Sequence, residues 1–487
     1  YWEDGAASTS AATMTNRDAK RNLIETETAW AIKQPQEYFN RVADFDAAWT
    51  DIIMYDEHTW GAHNSISAPD SDFVKRQDDY KQAFAIRGLG NKLREEVNVN
   101  VPAPQYKPEG VYADNEKKII GNDLISLEVD KKTGAIVSFK MKGIPHNLVN
   151  PGDDGNSGLN DYLYIIGRDA TKNRERYDQG VTVTANAVNG VAYFDIIAPK
   201  NSLPGAKNVV SNCDLLRRNI SITSDSSTVY IRNTMWKKME RQPEGTFFGF
   251  PFNVPNGVWR IDTPWAMVQV EKDQLPGANR NYYCVQNFCN LSNDEYGIDF
   301  AIYSAPMVQF SPILFTSAWD KTLKTWREHI EPNGTIYSWV CNNHWETNYK
   351  AGQDGLLQSF YRIRPYLGKF DVAKSQKFAR GTNMLTSLEQ QLLKLDNENI
   401  LVTRLKPART ERASNAHESP YGQGLIVRLY NPTDKAQNVS LTFAAPQIDK
   451  EVYKPALYLS NPLEDSLEKI PATLTIDAFD FITLRAE

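Results

Sequence analysis

The first hundred residues have the periodicity of amphipathic helices. Residues 16–33 contain good helix formers and no Gly or Pro. In the next segment, apolar residues recur at three- and four-residue steps: Val42, Phe45, Trp49 and Ile52. This spacing puts them on one face of a helix and predicts that the face is buried.

A third helical segment covers residues 71–97. Ser71 followed by Asp72 is a typical helix start, and Phe73, Tyr80 and Phe84 are expected on one side. Three helices joined by short connections predict a small antiparallel bundle, and we assign this helical region to residues 1–98.

After residue 98 the pattern changes from helical to extended. Residues 98–110 contain three prolines, which disfavour helix and predict a linker over 99–115. Beyond it, short alternating runs predict strands, the clearest being a hairpin around the turn Lys131–Gly134. The predicted fold is α+β and multidomain: the three-helix bundle, a large all-β supersandwich over 116–390, and a β-sandwich over 391–487.

Composition narrows the function only by exclusion. The formal net charge is −6 and the pI is about 5.7, which disfavours nucleic acid as a partner. The sequence has no apolar stretch long enough to span a bilayer, so no membrane partner is expected. The four cysteines lack the spacing of a zinc ribbon.

The stretch DIIMYDEHTWGAHNS, residues 51–65, begins as a helix and ends in acids, histidines and a tryptophan. His58 and His63 are five residues apart, about 140° around a helix, so they do not share a face. A helical zinc pair needs a spacing of four. If a metal binds here, one histidine serves, and His58 at the expected helix end is the better candidate; a helix-end polar role is the alternative.

A second polar segment, VCNNHWETNYKAGQDG, covers residues 340–355. Asn343, Trp345 and Tyr349 are candidate sugar contacts, since amides bind hydroxyls and aromatic rings pack against sugar faces. A structured turn whose amides satisfy backbone groups is the equal alternative.

The N-terminal segment WEDGAASTS has paired acids, Glu3 and Asp4, beside a glycine. Such a pair is suited to acid–base chemistry, although paired acids near a chain start are more often simply solvated.

The order of these features resembles a glycoside hydrolase family 38 α-mannosidase of the bacterial type. Three stretches indicate the resemblance, which extends over essentially all 487 residues: WEDGAASTSAATMTNRDAKRNLIETETAWA, WTDIIMYDEHTWGAHNSIS, and LVTRLKPART followed by GLIVRLYNPTDKAQNVSLTF. They are similar to the segment entering the helical middle domain, to the second bundle helix with its zinc motif, and to the terminal β-sandwich.

The resemblance implies a Zn²⁺ cofactor with His58 as one ligand, while Thr59 replaces an aspartate common in the family. It places Asp4 near a region of acidic active-site contacts. It also implies that the sequence is the C-terminal two-thirds of the enzyme, with the catalytic barrel, the aspartate nucleophile and the other zinc ligands before Tyr1. The chain alone would then be inactive.

The implied activity is retaining hydrolysis of α-mannosides or oligosaccharides through a covalent mannosyl-enzyme. The alternative is a non-catalytic carbohydrate-binding or scaffolding β-sandwich protein. Linkage preference, compartment and assembly into a homo-oligomer are left open by the sequence.

Overall fold

The computed structural model describes residues 2–57, 60, 62–98, 106–178, 180–198, 210–315, 327–344, 348–381, 391–409, 423–444 and 452–487. Within these residues the chain begins with a 3₁₀ helix, Trp2–Thr9, and then forms four helices: α1 (Ser10–Lys33), α2 (Val42–Tyr55), α3 (Asp72–Arg87) and α4 (Asn91–Val97). A fifth helix, α5, covers Val372–Arg380, and short 3₁₀ helices cover Tyr38–Arg41 and Asp153–Gly155. None of the described helices is both long and apolar enough to cross a bilayer.

The strands before the long central hairpins are β1 (Val111–Asp114), β2 (Ile119–Asn122), β3 (Ile125–Val129), β4 (Ile136–Met141), β5 (Asp161–Ile166), β6 (Arg174–Glu175), β7 (Thr182–Val188) and β8 (Val191–Ile197). The central strands are β9 (Cys213–Thr223), β10 (Val229–Lys237), β11 (Glu244–Pro251), β12 (Val258–Thr263), β13 (Ala266–Gln269), β14 (Tyr283–Cys284), β15 (Phe288–Ser292), β16 (Tyr296–Ile302), β17 (Met307–Phe310), β18 (Thr335–Asn342) and β19 (Gly355–Leu367). The last strands are β20 (Leu393–Leu395), β21 (Leu401–Pro407), β22 (Leu425–Tyr430), β23 (Gln437–Ala444), β24 (Val452–Tyr453), β25 (Leu457–Ser460), β26 (Ser466–Ile470), β27 (Thr473–Ile476) and β28 (Phe481–Ala486).

The helical region packs around Trp30 of α1. Its ring lies edge-on to Tyr38 and Phe45, with centroids 6.5 and 6.2 Å away. Its Nε1 donates to the Leu93 carbonyl at 3.0 Å, which joins α4 to α1. The predicted apolar face of α2 is confirmed in part, because Phe45 and Ile52 are buried in this cluster and Val42 and Trp49 are half-buried against it.

The third predicted helix is two helices. Ser71 is the predicted N-cap, its Oγ accepting from the Val74 N–H at 3.4 Å, but the helix ends at Arg87 and α4 begins at Asn91. Gly90 between them has φ +60° and lies so close to Leu23 that a Cβ there would be 2.9 Å from its Cδ1. Glycine adopts this backbone without strain, so it marks the break.

The β part is antiparallel throughout the described pairings, in agreement with the predicted α+β class. A four-stranded sheet has the order β1-β2-β3-β4, and the predicted hairpin around residues 131–134 is confirmed as β3 and β4. The two largest sheets have nine strands (β13-β12-β15-β16-β19-β10-β9-β8-β7) and six strands (β14-β17-β18-β11-β5-β6). The boundaries expected at 98, 115 and 390 stay predictions, and β1 lies inside the expected linker.

The two large sheets enclose the main core. Phe250 of β11 meets Phe300 of β16 and Tyr361 of β19 across it, with ring centroids 4.4 and 5.1 Å away. The outer face of β11 is buried as well, because Phe247 stacks on Trp339 in a second cluster that also contains Ala7 of the first 3₁₀ helix. The N-terminal segment is therefore fixed on the six-stranded sheet.

Helix α1 contacts both the nine-stranded sheet and the last sheets of the chain. Near its start, Arg17 Nε donates to the Tyr303 carbonyl at 2.9 Å, beside the nine-stranded sheet. Near its end, Thr28 Oγ1 donates to the Leu405 carbonyl at 2.8 Å, and Ala31 belongs to the core of the last sheets. Those sheets have the orders β20-β23-β24, with β27 also on β23, and β21-β22-β28-β25-β26.

Candidate functional site

Three hydroxyl groups meet where α2 ends beside the first 3₁₀ helix. Tyr55 OH lies 2.9 Å from Thr13 Oγ1 and 3.3 Å from Thr9 Oγ1. Thr13 in turn donates to the Ala6 carbonyl at 3.0 Å. Burial raises the pKa of Tyr55 to about 12, so the phenol stays neutral and ties the three segments together.

The last turn of α2 is closed by Lys81, which is only 4% exposed. Its ammonium donates to the carbonyls of Met54, Tyr55 and Glu57 at 3.2, 3.0 and 2.9 Å. A cation at a helix C-terminus is favourable because the carbonyl ends of the peptide dipoles point toward it. Burial lowers the pKa of Lys81, with the nearby Glu57 opposing that effect. The lysine fixes the backbone through Glu57, immediately before His58.

Asp56 stands at the surface of the same turn. Its carboxylate accepts from Asn16 Nδ2 at 2.9 Å and from Lys20 Nζ at 2.6 Å. The side chain is 46% exposed. It is therefore oriented by α1 and still accessible to a ligand.

The residues 340–355 reach the end of α2. Asn348 forms an isolated β-bridge with Ala62, and Tyr349 shares an apolar cluster with Tyr55 and Trp60. Trp60 is held with φ +54°, an uncommon conformation for a bulky residue, and its Nε1 donates to Asp78. Two polar stretches that are far apart in sequence thus form one structure.

The N-terminal segment completes this structure. The Tyr349 ring lies against the backbone of Gly5 so closely that a Cβ on Gly5 would be 2.2 Å from it. The Gln353 amide accepts from the Ser10 N–H at 2.9 Å and donates to the Ala7 carbonyl at 2.7 Å. All three segments singled out in the sequence therefore converge.

A cavity of about 670 Å³, here named the first cavity, opens beside them. One wall comes from the helical region, with Thr13 and Asp56, together with Tyr349, which packs against that region. The other wall comes from the two largest sheets, here called the large sandwich, with Pro264 of the β12–β13 turn and Cys284 of β14. The volume is in the range of small-molecule sites. Polar groups line both walls, with Gln286 and Asn287 on the sheet side, and apolar contacts also come from both walls.

Arg17 crosses from one wall to the other. Its guanidinium donates to the Tyr303 carbonyl and, at 2.5 Å, to the Gln286 carbonyl. Burial, reinforced by the neighbouring Arg21, lowers its pKa to about 10, so it stays charged at neutral pH. It supplies a fixed positive charge to the first cavity.

The sequence-predicted site residues are distributed unevenly. Tyr349 lines the first cavity. Asn343 does not: its amide accepts from the Glu244 N–H at 2.7 Å and donates to the Glu240 and Ala351 carbonyls at 3.1 and 3.3 Å. This geometry favours the structured-turn alternative for Asn343, although its role as a sugar contact stays untested. His58, Trp345 and the side chain of Asp4 lie outside the described residues.

Two other histidines near this site, His344 and His63, pack against aromatic rings. His344 is 4% exposed, with its ring centroid 4.0 Å from that of Phe315, and burial lowers its pKa to about 3. His63 packs against Phe73 with centroids 5.6 Å apart. In the part of the chain that the structure describes, no group of three or more His, Cys, Asp or Glu side chains is arranged to hold a metal ion. The described residues therefore do not form a zinc site by themselves.

Sequence reasoning missed Arg17, Lys20 and Lys81. The signal for Lys81 was present, because it falls on the buried stripe of α3 with Val74 and Ala85. No comparable sequence signal marked Arg17 and Lys20, since charged residues on a long helix are usually solvated.

The architecture belongs to the α+β class, with an N-terminal helical region followed by a series of antiparallel β-sheets. Two solved structures from Enterococcus faecalis share it over 100% of this chain. An α-mannosidase from strain V583 matches with a TM-score of 0.66 and 11% identity, over 68% of its own length. A protein in the glycosyl hydrolase family 38 matches with a TM-score of 0.65 and 12% identity, over 71% of its length. The resemblance indicated by the sequence is confirmed at the level of the fold.

No protein-family profile matches the sequence. No curated protein matches it either. The similarity is thus one of three-dimensional structure.

Proposed function

We propose that the chain forms one side of the substrate site of a glycoside hydrolase that cleaves α-mannosides. The observation that supports this most directly is the convergence of residues 2–10, 51–65 and 340–355 around the first cavity. The shared fold with an α-mannosidase structure adds support.

The groups of the first cavity suit a neutral sugar. Asp56 accepts hydrogen bonds from sugar hydroxyls, while Lys20 and Arg17 donate to them. Tyr349 offers an aromatic surface, rigidly placed against Gly5. In this proposal these residues bind and orient the sugar and exclude water from one side of it.

The bond-breaking groups are not assigned in this chain. Retaining hydrolysis needs a carboxylate nucleophile and a carboxylic acid about 5–5.5 Å apart across the glycosidic bond. We place both, as the resemblance implies, in polypeptide outside these 487 residues. The first cavity then contributes orientation, which lowers the barrier by holding the sugar in a reactive geometry.

The Zn²⁺ ion is part of the proposal through His58. The resemblance implies that the other ligands belong to polypeptide outside these 487 residues, and the described residues contain no group of three candidate ligands. Metal analysis of the complete protein in which this sequence occurs should find about one zinc, and His58→Ala should lower that content. His63→Ala is the matched control and should leave the zinc content unchanged.

Activity is tested on the complete protein with a chromogenic α-mannoside and the corresponding α-glucoside. Release of the chromophore from the mannoside alone is expected. Binding of the mannoside without hydrolysis would favour the non-catalytic carbohydrate-binding alternative, and neither binding nor hydrolysis would contradict the proposal.

Cys284 provides a test independent of turnover. It is the exposed one of the four cysteines and lines the first cavity. At about ten times its Kd, an α-mannoside should slow iodoacetamide alkylation of Cys284 about tenfold, as measured by mass spectrometry of its peptide. The matching α-galactoside should give little protection; equal protection by both sugars would contradict a mannose-specific site.

A further inference from the structure

A second cavity, of about 540 Å³, lies on the other side of the β12–β13 turn. Pro264 of this turn lines the first cavity and Trp265 the second. Arg21 and Asn287 border both. The second cavity also touches the terminal sheets, so it lies where α1, the large sandwich and the last β region meet.

Trp265 provides the second cavity with an exposed aromatic ring. The side chain is 48% exposed although Phe481 stacks on it at 5.0 Å and Tyr430 lies edge-on at 5.3 Å. Tyr430 OH also donates to the Trp265 carbonyl at 2.7 Å. The ring is thus rigidly held and partly bare, as a surface that packs against the C–H face of a sugar must be.

Asp262 organises the polar side of the second cavity. Its carboxylate is 1% exposed and accepts from Asn287 Nδ2 at 2.9 Å and Gln376 Nε2 at 2.6 Å. Each amide donates through its nitrogen, so each carbonyl oxygen points away from Asp262 and can accept from a hydroxyl. Both amide groups are planar, and their hydrogen bonds to Asp262 fix the direction in which each carbonyl oxygen points.

Arg428 adds donors from the terminal sheets. It is half-buried, and no carboxylate among the described residues lies within ion-pair distance of its guanidinium. Burial and the neighbouring Arg404 lower its pKa. Its N–H groups form a planar fork that can bind two adjacent hydroxyls.

We propose that the second cavity is a saccharide subsite, in which Trp265 packs against a sugar ring beyond the one bound in the first cavity. This inference rests on the proposed function, since it assigns the outer part of the same substrate. Arg21 and Asn287 line both cavities, so the two cavities adjoin and one extended ligand could occupy both. The site therefore selects oligosaccharides over simple mannosides.

The test compares two sulfur-linked ligands that resist hydrolysis, methyl 1-thio-α-mannoside and an α-linked mannose trisaccharide. Calorimetry on the complete protein gives the Kd of each. Trp265→Ala should weaken trisaccharide binding about tenfold, the effect of losing one stacked ring, and leave the monosaccharide unchanged. Trp236→Ala is the matched control, because Trp236 is 51% exposed and lines neither cavity.

Arg428→Lys is the second variant, in case loss of the indole disturbs folding. It keeps the charge and removes the planar fork, and it should weaken only the trisaccharide, by roughly threefold. If both ligands bind but neither variant separates them, the subsite is wrong while the proposed function stands. If neither ligand binds the unaltered protein, both proposals are wrong.

Discussion

Ionisable side chains are buried in the large sandwich and beside the two cavities, but their partners differ. In the sandwich, Lys237 lies 2.5 Å from Glu244, and Arg364 lies 2.6 Å from Asp299. At the first cavity, Lys81 is held by three backbone carbonyls, with only a distant contact of 3.6 Å to Glu57. At the second, Asp262 is held by two neutral amides.

Whether a buried charge is paired with an opposite charge or held by neutral groups decides how strongly it can act on a ligand. A close ion pair cancels most of its own field, whereas a charge held by neutral dipoles keeps its full value in a medium that screens it weakly. The sandwich pairs therefore contribute little field beyond themselves, whereas Asp262 lines the second cavity and contributes to the field that a ligand meets there. Lys81 acts on the first cavity through the backbone carbonyls that it holds.

The largest expected effect comes from opening a sandwich pair. Lys237→Met leaves Glu244, which is 0% exposed, as an unpaired buried charge, and should lower the free energy of unfolding by roughly 3–5 kcal/mol. Lys237→Met combined with Glu244→Leu removes both charges and should cost much less. Urea denaturation followed by circular dichroism compares them; a single variant as stable as the double one would contradict this role.

The next effect concerns pH and Asp262. Burial raises the pKa of Asp262 from 3.8 to about 6, so between these values the folded state holds a proton that the unfolded state has lost. Stability should therefore fall as pH rises through this window, by roughly 3 kcal/mol at most.

Asp262→Asn has no proton to lose. Its stability relative to the unaltered protein should rise between pH 4 and pH 7, as measured by urea denaturation at each pH. Asp123→Asn, at an exposed position, is the control and should show no such trend. A constant difference across the range for Asp262→Asn would argue against a buried, proton-holding carboxylate.

The smallest effect is expected at Lys81. Lys81→Met removes three charge-assisted hydrogen bonds to the end of α2 and should destabilise the protein by about 2 kcal/mol. It should also reduce the mannoside protection of Cys284, because the turn at residues 55–57 loses its support. Lys75→Met, at an exposed position on the same helix, should change neither; equal effects of the two substitutions would assign Lys81 no special role.

The pattern of apolar and polar residues predicted those elements that are determined by neighbouring residues in the sequence. The apolar spacing of α2 and the hairpin of β3 and β4 were both found. The third helical segment was predicted only in part. The break at Gly90 depends on its positive φ and its close approach to Leu23, which the local pattern did not indicate. Tyr80, expected on one side with Phe73 and Phe84, is 57% exposed.

The candidate site depended on contacts between distant parts of the chain. Nothing in residues 51–65 indicates that Ala62 pairs with Asn348, or that Tyr349 lies on Gly5. Such contacts are set by how the sheets and helices pack, which single-sequence periodicity does not encode. The second cavity was missed for the same reason, because Trp265 and Phe481 come from different β regions.

Helix α1 has 24 residues and is therefore about 36 Å long. One end carries Thr13 and Arg17 to the first cavity, and the other end is bound to Leu405 through Thr28. The last β region thus holds one end of α1, while residues near the other end of this helix line the first cavity. Truncating the last β region would expose Ala31 to solvent. It would also make the first cavity less rigid, although none of the described residues of that region lines this cavity.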